Sequence, residues 1–158
     1  MNRSLDTLSS QFQPVAFELL ARLTERVLAV MIVQTLRTLE EHSQNVAAGT
    51  SRTSNSKHVA RRLRGVVLDG RPGDLDKCDA IDLCPYAVYL LHGPDKLQWN
   101  PADPAFRAIG EEAERLDLRW GGRWFDPVDP GHCELILTPY DRTLATGERL
   151  RLLPGVHA

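Results

Sequence analysis

Ala16, Leu19, Leu20, Leu23 and Val27 recur at helical spacing, with Glu18, Arg22, Glu25 and Arg26 on the opposite face. Pro14 is expected to open that helix at its first position, where a missing N–H costs nothing. The period then changes. From Val27 to Val33 the chain is continuously apolar and rich in β-branched residues, which predicts a strand. Thr38-Leu-Glu-Glu41 has the form of a capping box, so a second, polar helix is expected over 39–48, stopping at Gly49. Thr50 to Asn55 reads as a loop. Between Ala60 and Cys78, five basic and three acidic residues mix with Asp-Gly and Pro-Gly turn signals, and an irregular or hairpin excursion is expected. Asp79 to Leu83 reads as a short strand ended by Pro85. Asp103-Pro104 opens a third helix with Phe106, Ile109, Ala113 and Leu116 on its apolar face and Gly121-Gly122 as its breaker. His132 to Thr138 closes the series as a strand. Helices alternating with short strands predict an α+β fold: a small single domain over 1–158, its short antiparallel sheet flanked by helices.

The chain has 158 residues, a size that buries roughly two-thirds of its unfolded surface and forms a core without disulfides. Lys and Arg number 19 against 21 Asp and Glu, a net charge of −2 that lacks the basic excess of a nucleic-acid binder. No apolar run approaches the roughly 18 residues of a membrane span, so no membrane insertion is expected. Met-Asn-Arg-Ser-Leu-Asp-Thr at the N-terminus lacks a basic segment followed by an apolar one, which predicts a product cytoplasmic as made; a monomer is expected. Cys78, Cys84 and Cys133 form an odd set without Cys-x-x-Cys spacing, and are read as reduced thiols.

Five histidines remain to be weighed. His42 falls in a polar helix and is expected at the surface; His92 precedes Gly-Pro in a turn; His157 adjoins the C-terminus. His58 and His132 have more suggestive neighbours. Asp129-Pro-Gly-His132-Cys-Glu134 sets a carboxylate three residues before an imidazole across a turn, which suits a metal ligand with a nearby general base. Asp82 lies between Ile81 and Leu83, where an unbonded carboxylate is costly. Two histidines and a carboxylate make a catalytic zinc set. Two surface histidines and a turn aspartate would account for the same residues.

Gln34-Thr-Leu-Arg37, Glu40-Glu41-His-Ser, and the run Gly49-Thr-Ser-Arg-Thr-Ser-Asn-Ser56-Lys-His58 resemble the opening of the VanY-like zinc peptidases. That family includes D-Ala-D-Ala carboxypeptidases and phage L-alanyl-D-glutamate endolysins. Asp79-Ala-Ile-Asp82-Leu-Cys-Pro-Tyr86, Leu118-Arg-Trp-Gly-Gly-Arg-Trp124 and Asp129-Pro-Gly-His132-Cys-Glu-Leu135 are similar to its later segments, in family order, over 14–138. The resemblance implies a zinc cleft with His58, Asp82 and His132 as ligands and Asp129 as general base. It implies Arg37 as the group that binds a substrate carbonyl or carboxylate and Ser56 as a substrate contact; Trp120 and Trp124 are read as substrate-binding residues that wall the cleft or pack beneath it. Glu134 is read as a supporting residue, and Arg61, Arg62 and Arg64 as a solvated basic loop that could meet an anionic wall.

The chain departs from the family pattern at two places. A long insertion, 59–81, separates His58 from Asp82, which keeps Asp79 open as the alternative ligand, with Asp69 and Asp74 behind it. Cys133 stands where an aromatic residue is expected, and is read as a core residue on the opposite face of its strand. The implied activity is zinc-dependent hydrolysis of the peptidoglycan stem peptide between L-Ala and D-Glu by an endolysin that acts on the wall after release. A D-Ala-D-Ala carboxypeptidase or dipeptidase would use the same zinc chemistry, and a non-catalytic peptidoglycan-binding domain is the rival from another class.

Overall fold

The computed structural model describes residues 1–53, 55–65, 72–88 and 96–136. His92, His157, Asp69 and the expected strand end at Thr138 lie outside these residues.

Helix α1 runs Phe12–Glu25 and buries Phe12, Ala16, Leu19 and Leu23, the apolar face that its spacing predicts. Pro14 sits inside its first turn, not at its start. Val27, expected as the end of that face and the start of a strand, belongs to neither. It takes a left-handed φ of 58° and is 93% exposed, because the chain must turn sharply before entering the sheet. Strand β1 therefore begins three residues later, at Val30–Gln34.

Thr38 caps α2 (Leu39–Ala47), and both halves of the capping box are made: Glu41 N–H donates to Thr38 Oγ1, and Thr38 N–H to the Glu41 carboxylate. Gly49, at φ 72°, ends it as expected. His42, expected at the surface, is buried, and neither of its ring nitrogens has a hydrogen-bond partner among the described residues. A nine-residue helix packed on one side buries residues that its polar composition does not distinguish.

Asp103 caps α3 (Pro104–Arg115), which buries Phe106, Ile109 and Ala113. Leu116, predicted on its apolar face, is the half-buried C-cap. The helix ends there, well before Gly121. Asp117, at φ 57°, turns the chain into a three-residue strand, β3 (Leu118–Trp120), too short to show a periodicity.

With β2 (Ala80–Pro85) and β4 (His132–Leu135), these strands form one antiparallel sheet in the order β1-β2-β4-β3. Helices α1 and α3 pack together, and α3 also packs on the sheet; Ile81, Leu83 and Cys133 lie in the core they share. The fold is a small α+β domain.

Register decides what the sheet presents. Asp82 pairs with His132 on one side and with Gln34 on the other. An irregularity between Ile32 and Gln34 skips Val33 and brings Gln34, not a valine, opposite Asp82. Three polar residues thus cross neighbouring strands in one row.

The inserted segment departs most from expectation. Its described parts include two short 3₁₀ turns, Arg61–Arg64 and Pro72–Asp74, and its last two residues open strand β2. Arg61 and Arg64 do not form a solvated basic loop. The Arg61 side chain is buried and donates to Asp79 at 2.6–3.0 Å, to Asp74 at 3.2 Å and to Gln11 at 3.1 Å. Arg64 donates to Asp79 and to the Val59 carbonyl. Only Arg62 of the three stays exposed, paired with Asp76. An apolar neighbourhood retains charge when every charge is matched, and sequence alone does not show the matching.

Candidate active site

His58 ends a loop, yet its backbone is fixed on both sides. The Arg37 N–H donates to the His58 carbonyl at 2.9 Å, and the Asp79 N–H donates to that of Lys57 at 2.9 Å. Those bonds hold the His58 ring beside the polar row of the sheet. Its Nε2 lies 3.0 Å from Asp82 Oδ1 and 3.2 Å from His132 Nδ1, and His132 Nδ1 lies 2.9 Å from the same Asp82 oxygen.

The outer bonds of the two rings set their tautomers. His58 Nδ1 is 2.6 Å from the Thr35 carbonyl, which can only accept, so that nitrogen carries a proton. His132 Nε2 is 3.1 Å from Glu134, whose carboxylate also takes a bond from Arg119 at 2.9 Å. The inner nitrogens, His58 Nε2 and His132 Nδ1, are then left as lone-pair donors facing a carboxylate. Three electron-rich atoms converge on one point, an arrangement that calls for a cation between them.

The electrostatics show the same demand for positive charge, with a proton on His132 competing for the place of a metal. Burial opposes the charge on Asp82, but His58 and His132 overcome it and hold the carboxyl well below its ordinary range. Burial likewise opposes a charged His132, yet its bonds to Asp82 and Glu134 push it up to about 10. Glu134, despite its own burial, is held down to about 2 by His132. Asp129 moves the other way: burial first, and the Asp82 charge next, raise its carboxyl above the usual carboxylate value.

The donor set fits zinc. Tetrahedral zinc with bonds of roughly 2.0–2.1 Å holds its donors about 3.3 Å apart, close to the separations here. Among the described residues, His58, Asp82 and His132 form a group of His, Cys, Asp or Glu side chains able to hold a metal ion. They form the floor of a cleft of about 430 Å³, whose lining includes Arg37, Ser56, Trp124 and Asp129.

Asp79, the alternative ligand, is not at this point. It is wholly buried between Arg61 and Arg64, and Asp74 pairs with Arg61 and Ser10. Cys133 lies in the hydrophobic core, where burial pushes its thiol far up.

Each remaining residue has a definite place. Both Nε and Nη2 of Arg37 donate to Gln34 Oε1, the first at 2.9 Å, and its Nη2 is 4.0 Å from Asp82. Ser56 Oγ accepts the His58 N–H at 3.3 Å. Trp124 stands against His132, with ring centroids 4.9 Å apart.

Trp120, expected either to wall the cleft or to pack beneath it, is not among the lining residues. Its indole N–H donates to the Pro130 carbonyl at 2.8 Å, and its ring fills the space where a Cβ on Gly110 or Gly122 would sit, within 2.1–2.2 Å. The Trp-Gly-Gly-x-Trp segment is therefore architecture: one tryptophan packs on glycine while the other reaches the cleft. Gly121 completes it, since its carbonyl accepts the N–H groups of both Trp124 and Asp129 at 3.1 Å.

Sequence reasoning missed the Thr35 carbonyl, which no side-chain pattern reveals. It also missed Gln34 as the holder of Arg37, although Gln34-x-x-Arg37 is visible as a segment. Arg119 and the Arg52–Asp126 ion pair, whose members both line the cleft, left no signal in the sequence.

No curated protein matches the chain significantly. Among solved structures it is similar to the crystal structure of the Serratia marcescens L-Ala D-Glu endopeptidase ChiX, with a TM-score of 0.54 and 19% identity. That match covers 87% of this chain and 86% of the other, and at such identity it speaks for the fold. Membership comes from sequence: the family model described as phage L-alanyl-D-glutamate peptidase matches residues 2–136, nearly the whole described chain, and the protein belongs to that family.

Proposed function

We propose that this protein is a zinc-dependent endopeptidase that cuts the peptidoglycan stem peptide between L-Ala and D-Glu. The observation that carries the reading is the convergence of His58 Nε2, Asp82 Oδ1 and His132 Nδ1, each within 3.2 Å of the others, at the floor of a cleft. These three atoms would hold the metal. Zinc bound there supplies a Lewis acid that polarises the scissile carbonyl and makes water acidic enough to attack it near neutral pH.

The chain's own groups do the rest. Asp129, whose burial raises its proton affinity, accepts the proton of the attacking water and returns it to the departing amine of D-Glu. Arg37, held in place by Gln34, faces the negative charge that grows on the carbonyl oxygen. Ser56 accepts from the His58 N–H and keeps its own hydroxyl proton to donate to substrate. Trp124 walls the cleft beside His132 and limits the access of bulk water. Glu134 fixes the His132 tautomer from outside.

The test is mass spectrometry of peptides released from purified sacculi, with and without a zinc chelator. New D-Glu N-termini that vanish on chelation are expected. Release of D-Ala or D-Ala-D-Ala would instead make the protein a carboxypeptidase or dipeptidase, and no release from zinc-loaded protein would overturn the reading. Asp129→Asn should retain stoichiometric zinc and lose about a thousandfold in kcat.

A further inference from the structure

Phe125 is 99% exposed, an unusual position for a phenylalanine, and its neighbours make it informative. Trp124 before it and Asp126 and Pro127 after it all line the cleft. Val128, two residues beyond Asp126, is also exposed. The loop that carries them is held at both ends and in the middle. Trp124 and Asp129 both donate to the Gly121 carbonyl, and Asp126 pairs with Arg52 on the facing wall. An apolar ring is thus presented to solvent on a tied segment whose neighbouring residues line the cleft.

The substrate's connectivity says what reaches that segment, given the function proposed above. In peptidoglycan the stem's L-Ala is amide-linked to the lactyl group of a muramic acid sugar. One residue, at most about 3.6 Å of chain, therefore separates the scissile carbonyl from the lactyl amide. A sugar ring has to lie at the cleft mouth whenever the L-Ala–D-Glu bond lies at its floor. Trp124 lies against His132, and Phe125 is the next residue along the chain, exposed beside the cleft lining. Sugar rings carry faces of C–H bonds that stack on aromatic rings, and an exposed, anchored phenylalanine binds them with little ordering cost.

We infer that Phe125 forms a glycan subsite beside the cleft, stacking on the amino sugar that carries the stem peptide, so that the enzyme reads the strand as well as the peptide. The ring is not packed against the protein, and its removal does not endanger the fold.

The experiment compares two substrates for the zinc-loaded full chain: a disaccharide-linked stem peptide, and the same peptide capped with lactate alone. The caps leave the same amide at the L-Ala nitrogen and differ only in the sugar. Wild-type protein should prefer the disaccharide-linked substrate in kcat/KM. Phe125→Ala should lower that preference about tenfold, and Phe125→Tyr should keep it. No sugar preference in the wild type, or a preference that Phe125→Ala leaves intact, would overturn the subsite while hydrolysis itself upholds the proposed activity. Failure of zinc-loaded wild type on both substrates would instead remove the activity on which the subsite rests.

Discussion

Asp79 and Asp82 stand three residues apart, one just before strand β2 and one within it, and their surroundings are built in opposite ways. Asp79 receives N–H groups from Arg61 and Arg64, while Asp74 shares Arg61 and takes two further bonds from Ser10. Donors meet acceptors, and the group is closed to solvent. Asp82 instead faces two imidazole nitrogens whose protons are committed to Thr35 and Glu134. There acceptor meets acceptor at the floor of an open cleft. A buried charge cluster completed by its own chain serves the fold; one whose atoms converge without a donor awaits a ligand. The first also supports the second, because Asp79 binds the Lys57 carbonyl beside His58 and leads directly into the strand that carries Asp82.

The largest effect should come from breaking the cleft cluster. His132→Ala removes one of three metal donors, so stoichiometric zinc should disappear by elemental analysis and kcat/KM should fall by about 10⁴. Zinc should raise the melting temperature of the wild type and leave that of His132→Ala unchanged. If the variant held zinc as tightly as the wild type, the contrast between the two clusters would fail.

Breaking the closed cluster should act on stability first. Arg61→Met leaves Asp79 and Asp74 short of a donor in a buried setting, and a loss of about 3–5 kcal/mol is expected in urea unfolding. The folded fraction should still bind zinc, which separates a structural cluster from a ligand set.

Smaller changes sharpen the comparison. Glu134→Gln weakens the outer bond that fixes the His132 tautomer, and zinc affinity should drop about 10–100-fold in competition with a chelator. Ser10→Ala removes one hydroxyl bond to Asp74 and should cost about 1–2 kcal/mol with zinc affinity unmoved.

Local rules made much of the fold legible. The capping box at Thr38, Asp103 before Pro104, and the buried face of α1 each depend on residues a few positions apart, and the observed helices follow them. The elements that escaped depend on distant partners. Strand β3 exists because Leu118 to Trp120 pairs with β4, and three residues carry no period of their own. Val27 faces water because the helix-to-strand turn falls on it. At the candidate site, segment resemblance named His58, Asp82 and His132, but the choice between Asp82 and Asp79 needed the register Asp82↔His132 and the two arginines that occupy Asp79.

By itself the sequence determined the starts of α2 and α3, the α+β class and the segments that carry the cleft residues, because caps, apolar periods and motif spacing are properties of neighbours along the chain. Tertiary structure alone decided that Arg61 is an internal counterion, that His42 is buried, that Trp120 packs on glycine while Trp124 meets His132, and that Thr35 and Glu134 set the two tautomers. Those outcomes turn on which groups face each other across tens of residues, and the fold supplies that pairing.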